Sequence, residues 1–139
     1  MKQIHLLCNA HLDPVWLWQW EEGVTEAIST FRTACDLLDE FEELQFNHNE
    51  SILYEWVKTY DPALFERIKA HVKNGRWHIM GGRFIQPDCN MPSGESLVRN
   101  IQRGRRFFKR EFDAEPTTAI NFDSFGHTKG LVQIQTQLL

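Results

Sequence analysis

Short apolar runs alternate with longer amphipathic stretches along this chain, and that order leaves few folds open to it. Residues 4–8 read as a short buried strand by length and flanks, with Pro14 closing the segment. Over residues 23–41 the apolar positions Ala27, Ile28, Phe31, Ala34, Leu37, Leu38 and Phe41 recur at the 3.6-residue period of a helix. Residues 44–48 read as a second strand, and residues 51–60 as a short helix with Ile52, Leu53, Trp56 and Val57 on one face. Asp61-Pro62 supplies an N-cap and a first-position proline for the next helix, whose stripe Leu64, Phe65, Ile68 and Val72 stops at Asn74-Gly75. Residues 77–80 form a third strand, ended by Gly81-Gly82. Ser93 then caps a long helix carrying Leu97, Val98, Ile101, Phe107 and Phe108, residues 117–122 form a fourth strand, and residues 130–139 a last helix. Strands alternating with helices predict an α/β fold with a parallel sheet.

The 139 residues suffice for one domain with a real core. A net charge of −4 argues against a nucleic-acid partner. Arg103, Arg105, Arg106, Lys109 and Arg110 cluster at helical spacing, which fits a solvated helix face better than a phosphate site. Cys8, Cys35 and Cys89 are scattered and odd in number, as expected of reduced thiols rather than a disulfide framework. No apolar run reaches the length of a membrane span, and the first residues lack the pattern of a signal peptide. The expected compartment is the cytoplasm, with no membrane partner. The sequence stops inside an apolar, uncapped helix, and four parallel strands close no barrel, so a truncated piece of a larger catalytic domain is expected.

Two clusters carry the chemistry. Asn9-Ala10-His11-Leu12-Asp13-Pro14 follows the first apolar run and Asn121-Phe122-Asp123-Ser124-Phe125-Gly126-His127 follows the fourth. In parallel α/β sheets active sites form at the C-terminal ends of strands. His11 and Asp13 share a side of an extended segment and suit zinc or another divalent ion; alone, the pair also fits a surface histidine beside a turn-initiating aspartate. Asp123 suits a metal ligand, a nucleophile or both, and also fits an Asx-turn or a helix cap. His127 fits an orienting or capping role better than a ligand role. Trp16, Trp18 and Trp20 alternate after the first cluster, and Trp16 is the one expected to face a sugar, against the alternative of a core position. Asp88 and Asn90, in the irregular stretch 83–91, suit contacts to hydroxyl groups or turn formation.

Several motifs together resemble one family. His11-Leu12-Asp13-Pro14-Val15-Trp16-Leu17-Trp18, Gly75-Arg76-Trp77 with Gly81-Gly82, Pro92-Ser93-Gly94-Glu95-Ser96-Leu97 and Asp123-Ser124-Phe125-Gly126-His127 resemble, in order, the glycoside hydrolase family 38 α-mannosidases, most closely the bacterial type. The resemblance implies that residues 1–139 are the N-terminal part of the catalytic domain, a partial (β/α)7 barrel of parallel strands with flanking helices. It implies zinc or a related divalent metal held by His11, Asp13 and Asp123. Asp123 would also be the nucleophile of a retaining hydrolysis of terminal α-mannosides, through a covalent mannosyl-enzyme. Trp16 would line the mannose subsite, and Asp88 is a second substrate-binding candidate. The family's fourth ligand, a histidine, and its acid/base aspartate come from later in its barrel, so the remainder of that domain is an expected partner and the isolated piece is expected to be inactive. Phe84 and Gln86 stand where tryptophan and an acidic residue are expected, and Gly130-Leu131-Val132-Gln133 departs from the usual Leu-Pro-Gln. A metal-dependent carbohydrate deacetylase on a related barrel and a non-catalytic remnant are the alternatives. The linkage, the aglycone and the oligomeric state are left open, and a homo-oligomer is compatible with the pattern.

Overall fold

A computed structural model describes residues 2–4 and 6–138. The elements are β1 (Cys8–Asn9), α1 (Trp20–Glu40), β2 (Phe46–Glu50), α2 (Ser51–Tyr60), α3 (Pro62–Lys73), β3 (Trp77–Arg83), α4 (Gly94–Phe112) and α5 (Lys129–Leu138). The three strands form one parallel sheet in the order β1-β2-β3, pairing Cys8 with Phe46, Phe46 with Trp77 and Glu50 with Arg83. All three C-terminal ends therefore lie along one rim, as the α/β reading requires.

The helices follow their sequence signals closely. Asp61 caps α3 by accepting from Leu64 N at 3.0 Å, with Pro62 at the first position. The Ser93 hydroxyl caps α4 by accepting from Ser96 N at 3.2 Å. Helix α1 begins three residues earlier than expected, at Trp20. Its Gly23 lies against Pro14, where a Cβ would meet the Pro14 carbonyl at 2.1 Å, so the first turn of α1 props the loop that carries the first cluster. Phe31, Leu38, Leu53, Val57, Ile68 and Trp77 form the core between the sheet and the helices. Its polar handles are satisfied: Trp77 Nε1 donates to the Tyr54 hydroxyl at 2.8 Å, and that hydroxyl donates to the His48 carbonyl at 3.4 Å.

The strands differ more from expectation. The first was expected over residues 4–8; only Cys8 and Asn9 pair, Ile4, Leu6 and Leu7 are exposed, and His5 lies outside the described residues. No described element covers Ile4, Leu6 and Leu7, and none of the three joins the ladder that starts at Cys8. The second strand starts at Phe46 rather than Leu44 and continues through Asn49 and Glu50, all of it buried. The third runs through Gly81 and Gly82 to Arg83, with its register against β2 shifting between His48 and Glu50 as at a bulge. Residues 117–122, expected as a fourth strand, are not one. They run beside β3, held there by Gly81 N donating to the Thr118 carbonyl at 3.1 Å, without a continuous ladder. The last helix starts at Lys129, and Leu139 lies outside the described residues.

The arginine-rich face of α4 is neutralised locally, Arg103 pairing with Glu55 at 3.0 Å and Arg99 with Glu95 at 2.7 Å, as expected of a solvated face. Among the described residues no helix is long and apolar enough to cross a membrane. The three cysteines are free, Cys8 exposed and Cys35 and Cys89 buried.

Candidate active site

The rim at the C-terminal ends of the strands brings the two sequence clusters together. His11 Nε2 lies 3.5 Å from Asp13 Oδ1 and 3.8 Å from Asp123 Oδ2. Two donor atoms about 2.1 Å from one tetrahedral ion lie about 3.4 Å apart, so both contacts are close to the spacing of shared ligands. Among the described residues no group of three or more His, Cys, Asp or Glu side chains is placed so that it could hold a metal ion. His11, Asp13 and Asp123 are two acids about one imidazole, and the chemistry of these residue types, nitrogen and carboxylate, is of the kind a zinc-type ion takes. All three side chains are partly exposed, Asp123 most of all at 64 %, which leaves them accessible to a ligand.

Each arm of this set is held by neighbours that the sequence did not single out. The first arm rests on β2. Asn47 Nδ2 donates to the Cys8 carbonyl at 2.7 Å, and Asn9 Nδ2 donates to the Asn47 carbonyl at 3.0 Å. His48, fully buried, lies with Nε2 3.0 Å from the Ala10 carbonyl, next to His11; a carbonyl only accepts, so Nε2 carries the proton and donates. Burial pushes the His48 imidazole down to about 4, which keeps it neutral near pH 7. Trp18 Nε1 donates to the Asp13 carbonyl at 3.3 Å, so this tryptophan steadies the loop rather than facing a ligand.

The second arm rests on β3 and the loop after it. Arg83, 2 % exposed, donates from Nη1 to Asn121 Oδ1 at 2.5 Å. Gln86 bonds the backbone of Phe122 at both its N–H and its carbonyl. Glu50, 1 % exposed, accepts from Gln86 N at 2.5 Å, and burial raises its carboxyl to about 7. The polar run Asn47-His48-Asn49-Glu50 is itself the missed signal: buried polar groups need partners, and Asn47, His48 and Glu50 find theirs in the two arms. Asp123 sits at φ +43°, in the left-handed region that aspartate enters more readily than most residues.

The remaining candidates lie at the edge of the same rim. Trp16 is 56 % exposed beside the first cluster, with its ring free of the core. Asp88 Oδ1 accepts from Asn90 N at 2.7 Å and Met91 N at 3.0 Å, so one of its oxygens is committed to a turn. Asn90 Nδ2 in turn reaches the Phe125 carbonyl at 3.4 Å. His127 Nε2 lies 3.1 Å from Ser124 Oγ and 3.5 Å from Asn121 Nδ2. Phe84, in the position where tryptophan is expected, stacks under the Arg103 guanidinium, 3.6 Å from its ring centre.

An α/β domain with imidazole and carboxylates gathered at strand C-terminal ends has the architecture on which such folds carry enzyme active sites. Residues 1–138 match the family described as "Glycosyl hydrolases family 38 N-terminal domain", and the chain belongs to that family. It is 34% identical over 126 residues to α-mannosidase G of Dictyostelium discoideum, covering 91% of this chain and 12% of that protein. It is 34% identical over 131 residues to α-mannosidase 2C1 of Homo sapiens, covering 94% of this chain and 13% of the relative. Among solved structures, an α-mannosidase from Enterococcus faecalis V583 shares the fold at a TM-score of 0.83 and 24% identity, over 94% of this chain and 15% of that one. The chain thus spans a small fraction of the length of the relatives it matches.

Proposed function

We propose that this chain is the N-terminal part of the catalytic domain of a retaining, metal-dependent α-mannosidase, and that the rest of the protein completes a (β/α)7 barrel around the rim. The observation that carries the reading is the approach of Asp13 and Asp123 to one His11 nitrogen at the strand ends of a family 38 domain. His11, Asp13 and Asp123 hold a zinc ion or a related divalent metal. Bound there, such an ion polarises sugar hydroxyls and favours the charge distribution of an oxocarbenium-like transition state.

The chain's own residues do the rest of what this segment contributes. Asp123 presents Oδ2 toward His11, which leaves its other oxygen for the sugar. That carboxylate attacks the anomeric carbon and the glycosidic bond breaks. The aglycone leaves with a proton from an acid supplied by the rest of the domain. The same group then takes a proton from water, whose oxygen displaces Asp123 from the anomeric carbon and restores it. Trp16 offers an exposed aromatic face for the sugar's C–H surface, and Asp88 a free carboxylate oxygen for a hydroxyl. A cytoplasmic location fits the free cysteines.

The test is turnover of an aryl α-mannoside by the protein expressed from its complete reading frame. Activity that falls on chelation, returns with zinc and is lost in Asp123→Asn supports the reading. Chelator-resistant turnover overturns the metal role, normal turnover by Asp123→Asn overturns the nucleophile, and acetate release from acetylated sugars without glycosidic cleavage overturns the reaction class.

A further inference from the structure

We propose that Gln86 is the positioning residue for Asp123: its side-chain amide bonds both backbone polar groups of the preceding residue, Phe122, and so fixes the left-handed backbone from which the carboxylate reaches the site. The inference rests on the role proposed above for Asp123. Residues 117–122 do not ladder onto β3 as a strand would, so the segment carrying Asp123 lacks the usual row of backbone bonds. Gln86 replaces the missing pair at the point nearest the site. Its Oε1 accepts from Phe122 N at 2.8 Å and its Nε2 donates to the Phe122 carbonyl. An N–H can only donate and a carbonyl only accept, so the Phe122 backbone itself dictates which way the amide faces.

The clamp is anchored to the sheet. Gln86 N donates to Glu50 Oε1 at 2.5 Å, and Glu50 is buried at the end of β2. One residue before Phe122, the buried Arg83 guanidinium holds Asn121. Asp123, at φ +43°, therefore follows two residues tied to the ends of two strands. A non-glycine residue in that region is held by its surroundings rather than by its own preference. Glutamine alone among side chains of this length offers both a donor and an acceptor here. Leucine has neither, and an ionised glutamate accepts from Phe122 N but sets a second acceptor against the Phe122 carbonyl.

The test compares Gln86→Leu, Gln86→Glu and Asp123→Asn in the protein expressed from its complete reading frame, with zinc affinity measured by competition against a chromophoric chelator. Gln86→Leu is expected to lower kcat on an aryl α-mannoside about 100-fold with KM changed less than about twofold, because the reacting atom is displaced while the sugar's other contacts remain. Zinc affinity is expected to fall roughly 10- to 100-fold, since Asp123 is also a ligand. Gln86→Glu is expected to match this loss at about pH 8 and to recover relative to the unmodified protein as pH falls and the carboxyl takes up a proton that donates again. The titratable groups around the position are Glu50 from β2, Arg83 from β3, Asp88 and Cys89 in its own loop, and Asp123 and His127 on the clamped segment. Full kcat and zinc affinity in Gln86→Leu, or in Gln86→Glu at about pH 8 should the leucine variant not fold, overturn the proposal while an inactive Asp123→Asn leaves the function standing. An active Asp123→Asn overturns the role of Asp123 on which the proposal rests.

Discussion

Burial moves two side chains on one strand, His48 and Glu50, in opposite directions. Burial raises Glu50 to about 7, so the folded chain keeps its proton to higher pH than the unfolded chain, and that contribution to stability is lost as pH rises from about 4.5 through about 7. Burial lowers His48 to about 4, so the unfolded chain takes a proton first, and that contribution is lost as pH falls from about 6.5 through about 4. Between about 4.5 and 6.5 the two slopes oppose. Glu50→Gln keeps an acceptor for Gln86 N and removes one of them. Urea unfolding should show this variant gaining on the order of 1–3 kcal/mol over the unmodified protein between about pH 4.5 and pH 8. A difference that does not change with pH would show that the Glu50 carboxyl is not titrating in the fold. At the rim, Trp16→Ala should raise KM for a mannoside roughly tenfold with little change in kcat, as expected for a contact made equally in the bound substrate and the transition state. A loss in kcat at unchanged KM would instead place Trp16 among the groups that act on the transition state.

Among the elements, α4 fixes the third strand end. A Cβ on its Gly104 would meet the Arg83 carbonyl carbon at 2.2 Å and Phe84 N at 2.5 Å, so the helix lies directly on the backbone that leads to Gln86. Gly104→Ala should destabilise the domain by about 1–3 kcal/mol from overpacking against rigid backbone. The helix-propensity gain of up to about 1 kcal/mol does not offset it. Thermal unfolding checks this, and an unchanged or raised midpoint would contradict the packing. The helices were legible in the sequence because Asp61-Pro62, Ser93 and the 3.6-residue stripes are local signals. The strands were less so. Asn47-His48-Asn49-Glu50 carries no apolar alternation, because Asn47, His48 and Glu50 bond to segments distant in sequence. Residues 4–8 and 117–122 have the composition of strands, but a ladder needs a partner backbone, and composition does not supply one.

At the level of the whole molecule, the approach of His11, Asp13 and Asp123 could be read in advance because each stands in a motif after an apolar run. What could not be read was the bracing. His48, Arg83 and Gln86 act through tertiary contacts, and Gln86 stood out in the sequence only as a departure from an acidic residue. The chain spans 12% and 13% of two mannosidase relatives, so residues 1–139 alone should show no turnover of an aryl α-mannoside under conditions where the complete protein is active. Turnover by the isolated chain would mean that the proton donor lies within it. The central claim is that one imidazole and two carboxylates share a single cation. Crystals of the complete protein grown with zinc, measured above and below the zinc absorption edge, test it most directly. The account predicts one anomalous peak about 2.0–2.2 Å from His11 Nε2, Asp13 and Asp123; a peak bound by other residues, or none at the rim, would contradict it.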